Sequence, residues 1–148
     1  MSTTRQESSD KARIKTLLTR AGDSWCALPL ARVRRVIRAL KLYPLPGAGE
    51  VVAGLAEVDG EPLVILSLER LLDAPAGASA EFPVTLLVES GAPGSAEVVG
   101  LAADEAGDIV VLDSAQIVGP PRGIVQGETQ TDHGPVRFLD LSRMGTPS

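Results

Sequence analysis

The sequence predicts a mainly β protein, and three observations carry that prediction. Short runs of Val, Leu and Ile recur between Gly- and Pro-containing turns, a spacing that suits barrels or a sandwich. Aromatic residues make up only 3% of the 148 residues, so any core must be assembled from Val, Leu, Ile and Ala. A weak repeat joins the two halves: Ile65-Leu66-Ser67-Leu68-Glu69-Arg70-Leu71 matches Phe138-Leu139-Asp140-Leu141-Ser142-Arg143-Met144 in character at six of seven positions. Each copy follows a turn with Gly and Pro, and in each a strand ends and reverses into a helical turn, as at a barrel corner. Two related small barrels would explain this; the alternative is chance similarity between two apolar strand ends.

Taken in order, residues 1–12 form a polar tail expected to be mobile. Residues 13–146 then carry the folded domain. Ile14, Thr16 and Leu18 lead to the turn Ala21-Gly22-Asp23, and apolar character resumes from Trp25 to Pro29, which predicts a hairpin. From Leu30 to Ile37 the apolar residues Leu30, Val33, Val36 and Ile37 fall at helical spacing, with Arg32, Arg34, Arg35 and Arg38 between them. That pattern predicts a short amphipathic helix.

Pro44, Pro46, Gly47 and Gly49 make a loop, followed by a strand from Val51 to Val58, a turn at Asp59-Gly60 and a return strand from Leu63 to Leu66. A helical turn from Leu68 to Leu72 precedes an Ala/Gly/Ser/Pro loop from Asp73 to Glu81. Further strands are predicted from Val84 to Glu89, Glu97 to Ala102, Ile109 to Leu112 and Val136 to Leu139.

Several function classes are disfavoured by composition. Net charge is −5, which opposes binding to a phosphate backbone, so nucleic acid is not an expected partner. No apolar run approaches the ~20 residues of a membrane helix, and no leader-like segment opens the chain, so a cytoplasmic location is expected. One cysteine, Cys26, and one histidine, His133, supply neither a disulfide nor four zinc ligands, so no metal or cofactor is expected. Cys26 lies in an apolar stretch and suits a buried small hydrophobe better than a nucleophile, so no enzyme is expected. Asp104, Glu105 and Asp108 suit a solvated turn, and Gly91-Ala92-Pro93-Gly94 a hairpin loop, since no Lys-Ser/Thr pair follows it.

An ordered series of fragments resembles the CheW-like chemotaxis adaptor family. It begins with Trp25-Cys26-Ala27-Leu28-Pro29-Leu30-Ala31-Arg32-Val33-Arg34-Arg35-Val36 and Pro44-Leu45-Pro46-Gly47. It continues with Val52-Ala53-Gly54-Leu55, Asp59-Gly60 and Val64-Ile65-Leu66-Ser67-Leu68-Glu69-Arg70-Leu71-Leu72. Val99-Gly100-Leu101-Ala102-Ala103-Asp104-Glu105, Leu112 and Ile117 resemble the start of a second barrel, and Gly123-Ile124 with Phe138-Leu139-Asp140-Leu141 its close. The resemblance spans roughly Ile14 to Met144.

It implies two SH3-like, five-stranded β-barrels packed on a shared hydrophobic core, with short helices. It also implies a non-catalytic adaptor whose partners are the regulatory domain of a CheA-type histidine kinase and the cytoplasmic tip of a chemoreceptor. Carried over by position, Val33, Arg35, Gly54 and Asp59 would lie toward a receptor-binding groove, with Val84 and Thr85 on its other side. Asp59 stands where the family has an arginine, and Ser67 replaces the aspartate of the usual Leu-Asp-Leu, which Asp140 keeps in the second copy. A divergent or accessory adaptor is therefore expected, and the alternatives are a β-barrel small-ligand sensor or an array scaffold without receptor coupling.

Overall fold

A computed structural model of the chain describes residues 13–72, 83–92 and 97–144. The expected tail at 1–12, the loop at 73–81 and residues 93–94 of the Gly-Pro turn lie outside the described residues. The strands in chain order are β1 (Arg13–Ala21), β2 (Ser24–Pro29), β3 (Val33–Arg38), β4 (Val52–Val58) and β5 (Glu61–Ser67). They continue as β6 (Val84–Ser90), β7 (Glu97–Ala103), β8 (Glu105–Asp113), β9 (Val125–Thr131) and β10 (Gly134–Leu139). One helical turn, α1 (Leu68–Leu71), follows β5, and 3-10 turns occupy Leu30–Arg32, Ser114–Gln116 and Leu141–Arg143.

Two five-stranded sheets result, ordered β3-β6-β7-β5-β4 and β8-β1-β2-β10-β9. Each curls shut because the chain leaving its edge strand crosses to the opposite edge. In the first sheet, barrel 1, Tyr43 exchanges hydrogen bonds of 2.7 and 2.8 Å with Leu55 of β4. In the second, barrel 2, Val118 exchanges bonds of 2.9 and 2.7 Å with Glu128 of β9. A glycine precedes each crossing, and a Cβ on Gly54 would stand 2.6 Å from the Tyr43 carbonyl oxygen. On Gly127 it would stand 2.9 Å from that of Val118.

The barrels exchange their first hairpins. The β1-β2 hairpin belongs to barrel 2, but the next strand, β3, joins barrel 1; the β6-β7 hairpin belongs to barrel 1, but β8 joins barrel 2. Both orders are otherwise the same, down to a parallel central pair, β5 on β7 and β10 on β2. The repeat seen in the sequence sits at the same corner of each barrel. Ser67 accepts a hydrogen bond from the Arg70 amide at 3.3 Å and caps α1, while Asp140 accepts one from the Ser142 amide at 3.1 Å.

Superposing Ile65 on Phe138 places Gly100 on Ala27 through the parallel registers, and then Leu87 on Leu18 and Val88 on Thr19 through the hairpins. Side chains alternate accordingly. Leu17, Leu28, Leu66, Leu86, Leu101 and Leu139 meet in a core between the barrels. Leu18, Ala27, Val136 and Phe138 fill barrel 2, and Ala56, Ile65 and Ala102 fill barrel 1. Central strands are buried on both faces, so their sequences lack a strict apolar-polar alternation.

The predicted helix from Leu30 to Ile37 is a correction. Only Leu30–Arg32 turns helically, and Val33–Arg38 is the edge strand of barrel 1. A β-bulge between Val33 and Arg35 puts one extra residue into the ladder, so apolar residues recur at three rather than two positions there and imitate a helical period. β9 was not expected; its buried positions are Gly127 and Thr129, which carry no apolar signal.

Candidate protein-binding surface

The bulge leaves Arg34 and Arg35 both exposed on β3, and Val36 after them is 42% exposed, high for a valine. Most of the arginine charge is already answered within the chain. Arg32 donates to the carbonyls of Glu89 and Gly91 at 3.1 and 2.8 Å, and Arg34 pairs with Glu89 at 3.0 Å. Arg35 Nη1 lies 2.8 Å from Asp59 Oδ2, so the edge strand is tied to the β4-β5 turn. Asp59 holds φ at +52° and Gly60 at +83°, both left-handed, as a two-residue hairpin turn of this type requires. Val36, Tyr43 and Leu45 add exposed apolar surface on the β3-β4 segment, and Lys41 Nζ sits 5.2 Å from the centre of the Tyr43 ring.

The six residues singled out by position therefore separate. Arg35 and Asp59 come together at the surface, with Val33 half-buried at the start of the same strand. Val84 and Thr85 do not join them, being 2% and 1% exposed on the central strand β6. Val84 faces the core between the barrels, and neither side chain presents itself to a partner. Gly54 is buried and serves the Tyr43 crossing.

A second surface went unnoticed in the sequence. Through the registers of β1-β8 and β6-β3, Ile109 corresponds to Val36 and Val111 to Arg38. Ile109 and Val111 are 58% and 56% exposed on the edge strand β8. Asp108, beside them, corresponds to Arg35, and it too reaches a hairpin turn: its carboxylate lies 3.7 Å from His133 Nε2, between β9 and β10. His133 also packs on Trp25, with ring centroids 5.2 Å apart. The signal available in the sequence was the run Ile109-Val110-Val111-Leu112, apolar on both faces of one strand.

The candidates for chemistry are occupied structurally. Asp104 accepts a hydrogen bond from the Gly22 amide at 2.6 Å and Glu105 pairs with Arg20 at 3.4 Å. Cys26 is buried, and its burial pushes the thiol up to about 12, against the opposing influence of the Arg137 charge. A thiol held neutral in this way is a poor nucleophile. Among the described residues no cluster of His, Cys, Asp and Glu could hold a metal, and no helix is long and apolar enough to cross a membrane.

The family model for the CheW-like domain matches residues 15–146, nearly the whole described chain. The protein belongs to the CheW-like family. Among solved structures it is similar to the scaffolding protein TtCheW from Thermoanaerobacter tengcongensis, with a TM-score of 0.71 and 19% identity over 85% of this chain and 88% of that one. At that identity the likeness establishes the fold: a CheW-like pair of SH3-like barrels. No curated protein matches the sequence significantly.

Proposed function

We propose that this protein is a non-catalytic chemotaxis-type adaptor, coupling the cytoplasmic tip of a methyl-accepting chemoreceptor to the regulatory domain of a CheA-type histidine kinase, in the cytoplasm beneath a receptor array. The observation that carries the reading is the CheW-like match across both barrels. The paired surfaces support it. An adaptor needs two docking faces, and each barrel offers an edge strand with exposed aliphatic side chains beside a polar contact to a hairpin turn, Arg35 to Asp59 in one and Asp108 to His133 in the other. The buried, neutral Cys26 thiol supports a role without catalysis.

The barrel 1 face, with Val36, Arg35 and Asp59, is assigned to the receptor tip, and the barrel 2 face, with Ile109 and Val111, to the kinase domain. Because Asp59 is held by Arg35, the receptor face presents a compensated pair rather than a free positive charge. Such a face suits a tip whose contact surface is apolar at this point, which makes this chain a divergent or accessory adaptor.

Titration calorimetry of the purified protein against the isolated kinase domain and, separately, the receptor tip from the same cell tests the reading. Binding to both is expected. Val36→Asp should weaken the tip complex and Ile109→Asp the kinase complex, each at least about tenfold, as for truncated interface anchors. Binding to neither partner would overturn the function, and loss of both complexes by either single variant would overturn the division between faces.

A further inference from the structure

A cavity of about 350 Å3 opens between the two barrels. Leu71 and Leu72 line it from barrel 1, and Val125, Glu128 and Arg137 from β9 and β10 of barrel 2, with Arg122 on the connecting loop. Arg122 is engaged in contacts of its own. Arg137 is different: half-buried, it makes no hydrogen bond or ion pair among the described residues. Glu128 faces it across the β9-β10 ladder, yet the two do not form a salt bridge.

The two-barrel symmetry makes the oddity sharper. Placing Ile65 on Phe138 puts Val64 at the position of Arg137, and Val64 packs on the core between the barrels. A second cavity, about 360 Å3, is lined by Val52, Leu66, Ile124, Arg143 and Met144, and there Arg143 is drawn to Asp140 at 3.8 Å. Of these two cavities only the first holds a guanidinium without a salt bridge, with Leu71, Leu72 and Val125 as apolar walls and Glu128 and Arg122 on the polar side. A half-buried guanidinium with no salt bridge keeps donors free, and its planar fork matches a carboxylate.

We propose that the cavity between Leu71, Leu72, Val125 and Arg137 binds a small organic monocarboxylate with a compact branched apolar body, its carboxylate on the Arg137 guanidinium and its body against the leucines. The site lies at the small end of ligand pockets, whose volumes run roughly 300–1,000 Å3. Glu128, close at hand, sets the charge limit: one negative charge is favoured and further ones are repelled. Because the walls come from both barrels, an occupant ties them together and stabilises the fold by mass action.

The test uses the full chain, 4-methylpentanoate, its neutral amide and inorganic phosphate, with amide chemical shifts and melting temperature as readouts. Saturable binding of the carboxylate is expected, with shifts centred on Leu71, Val125 and Arg137 and a raised melting temperature. The amide and phosphate should bind at least about tenfold more weakly, since each lacks one half of the recognition. Arg137→Gln should cost at least about tenfold in affinity. Glu128→Gln, at an exposed position, should improve affinity severalfold, which guards against a folding defect in the first variant. Equal binding of amide and carboxylate, equal binding of phosphate, no saturation at millimolar carboxylate, or an unchanged affinity in Glu128→Gln would each overturn the assignment.

Discussion

Barrel 1 and barrel 2 share one wiring scheme but secure their edges with opposite polarity. In barrel 1 the edge strand supplies the cation, Arg35, and the hairpin turn the anion, Asp59; in barrel 2 the strand supplies the anion, Asp108, and the turn His133. Corresponding positions differ elsewhere as well: Val88 against Thr19, Val99 against Cys26, and Val64 against Arg137. At these three places barrel 1 has an aliphatic side chain where barrel 2 has a polar or ionisable one, although Ser90 of barrel 1 stands where barrel 2 has Ala21.

The largest effect should come from the crossings that close the barrels. Gly54→Ala is expected to cost about 2–3 kcal/mol in urea unfolding, because the new methyl meets a backbone oxygen at 2.6 Å and φ is +157°. Gly127→Ala should cost less, since its clash is at 2.9 Å. Equal costs would mean the two crossings are equally tight and the comparison wrong. Next comes Cys26, whose folded thiol titrates near 12 against an ordinary value of 9.0. Its stabilising contribution is full below pH 9.0 and declines as pH rises toward about 12, because the unfolded thiol loses its proton first. Cys26→Val, which copies Val99 of barrel 1, should flatten melting temperature against pH in this window relative to the parent.

Thr19 provides a smaller test. Its hydroxyl is fully buried and has no hydrogen-bond partner among the described residues, whereas Thr16 Oγ1 donates to the Val110 carbonyl at 2.9 Å. Thr19→Val should stabilise by about 1 kcal/mol and Thr16→Val destabilise by a similar amount. Destabilisation by Thr19→Val would point to a bound water in the core. The exposed ion pair ranks last. Asp59→Asn, which tolerates the left-handed backbone, should lower stability by no more than about 1 kcal/mol, and Asp59→Arg by more because two guanidiniums then adjoin and the turn is strained, with Arg35→Asp in the same chain restoring the charge part of that loss. A double variant no better than Asp59→Arg alone would show that the pair does not couple in solution.

Much of this architecture was legible in the sequence, because turns and aliphatic runs are local signals. The hairpins around Gly22 and Gly60 follow from them, and the match between Ile65-Leu66 and Phe138-Leu139 reflects corners that the structure makes equivalent. What could not be read depended on partners distant in the chain. The bulge in β3 changes the period of its side chains and disguised a strand as a helix. Val84 and Thr85 look like any strand residues until β6 is seen flanked by β3 and β7, which buries them. Arg35 and Asp59 were named separately, but their salt bridge spans 24 residues and needs the whole barrel to form. Ile109 and Val111 resembled core, and only the position of β8 at an edge makes them surface.

The exchange of the β1-β2 and β6-β7 hairpins bears on how the molecule can be made. Barrel 1 has all its strands once the ribosome has released Ala103, but barrel 2 begins with Arg13 and waits for Leu139. At translation rates of roughly 5–20 residues per second, the β1-β2 hairpin spends several seconds without its neighbours β8 and β10. During that interval Leu17 and Leu28 can shelter against the newborn barrel 1, through the surface that becomes the shared core, whereas Leu18 must wait for barrel 2 itself. Barrel 1, continuous from Val33 to Ala103, is thus an insertion within barrel 2, and the outer barrel can close only after the inner one has been made.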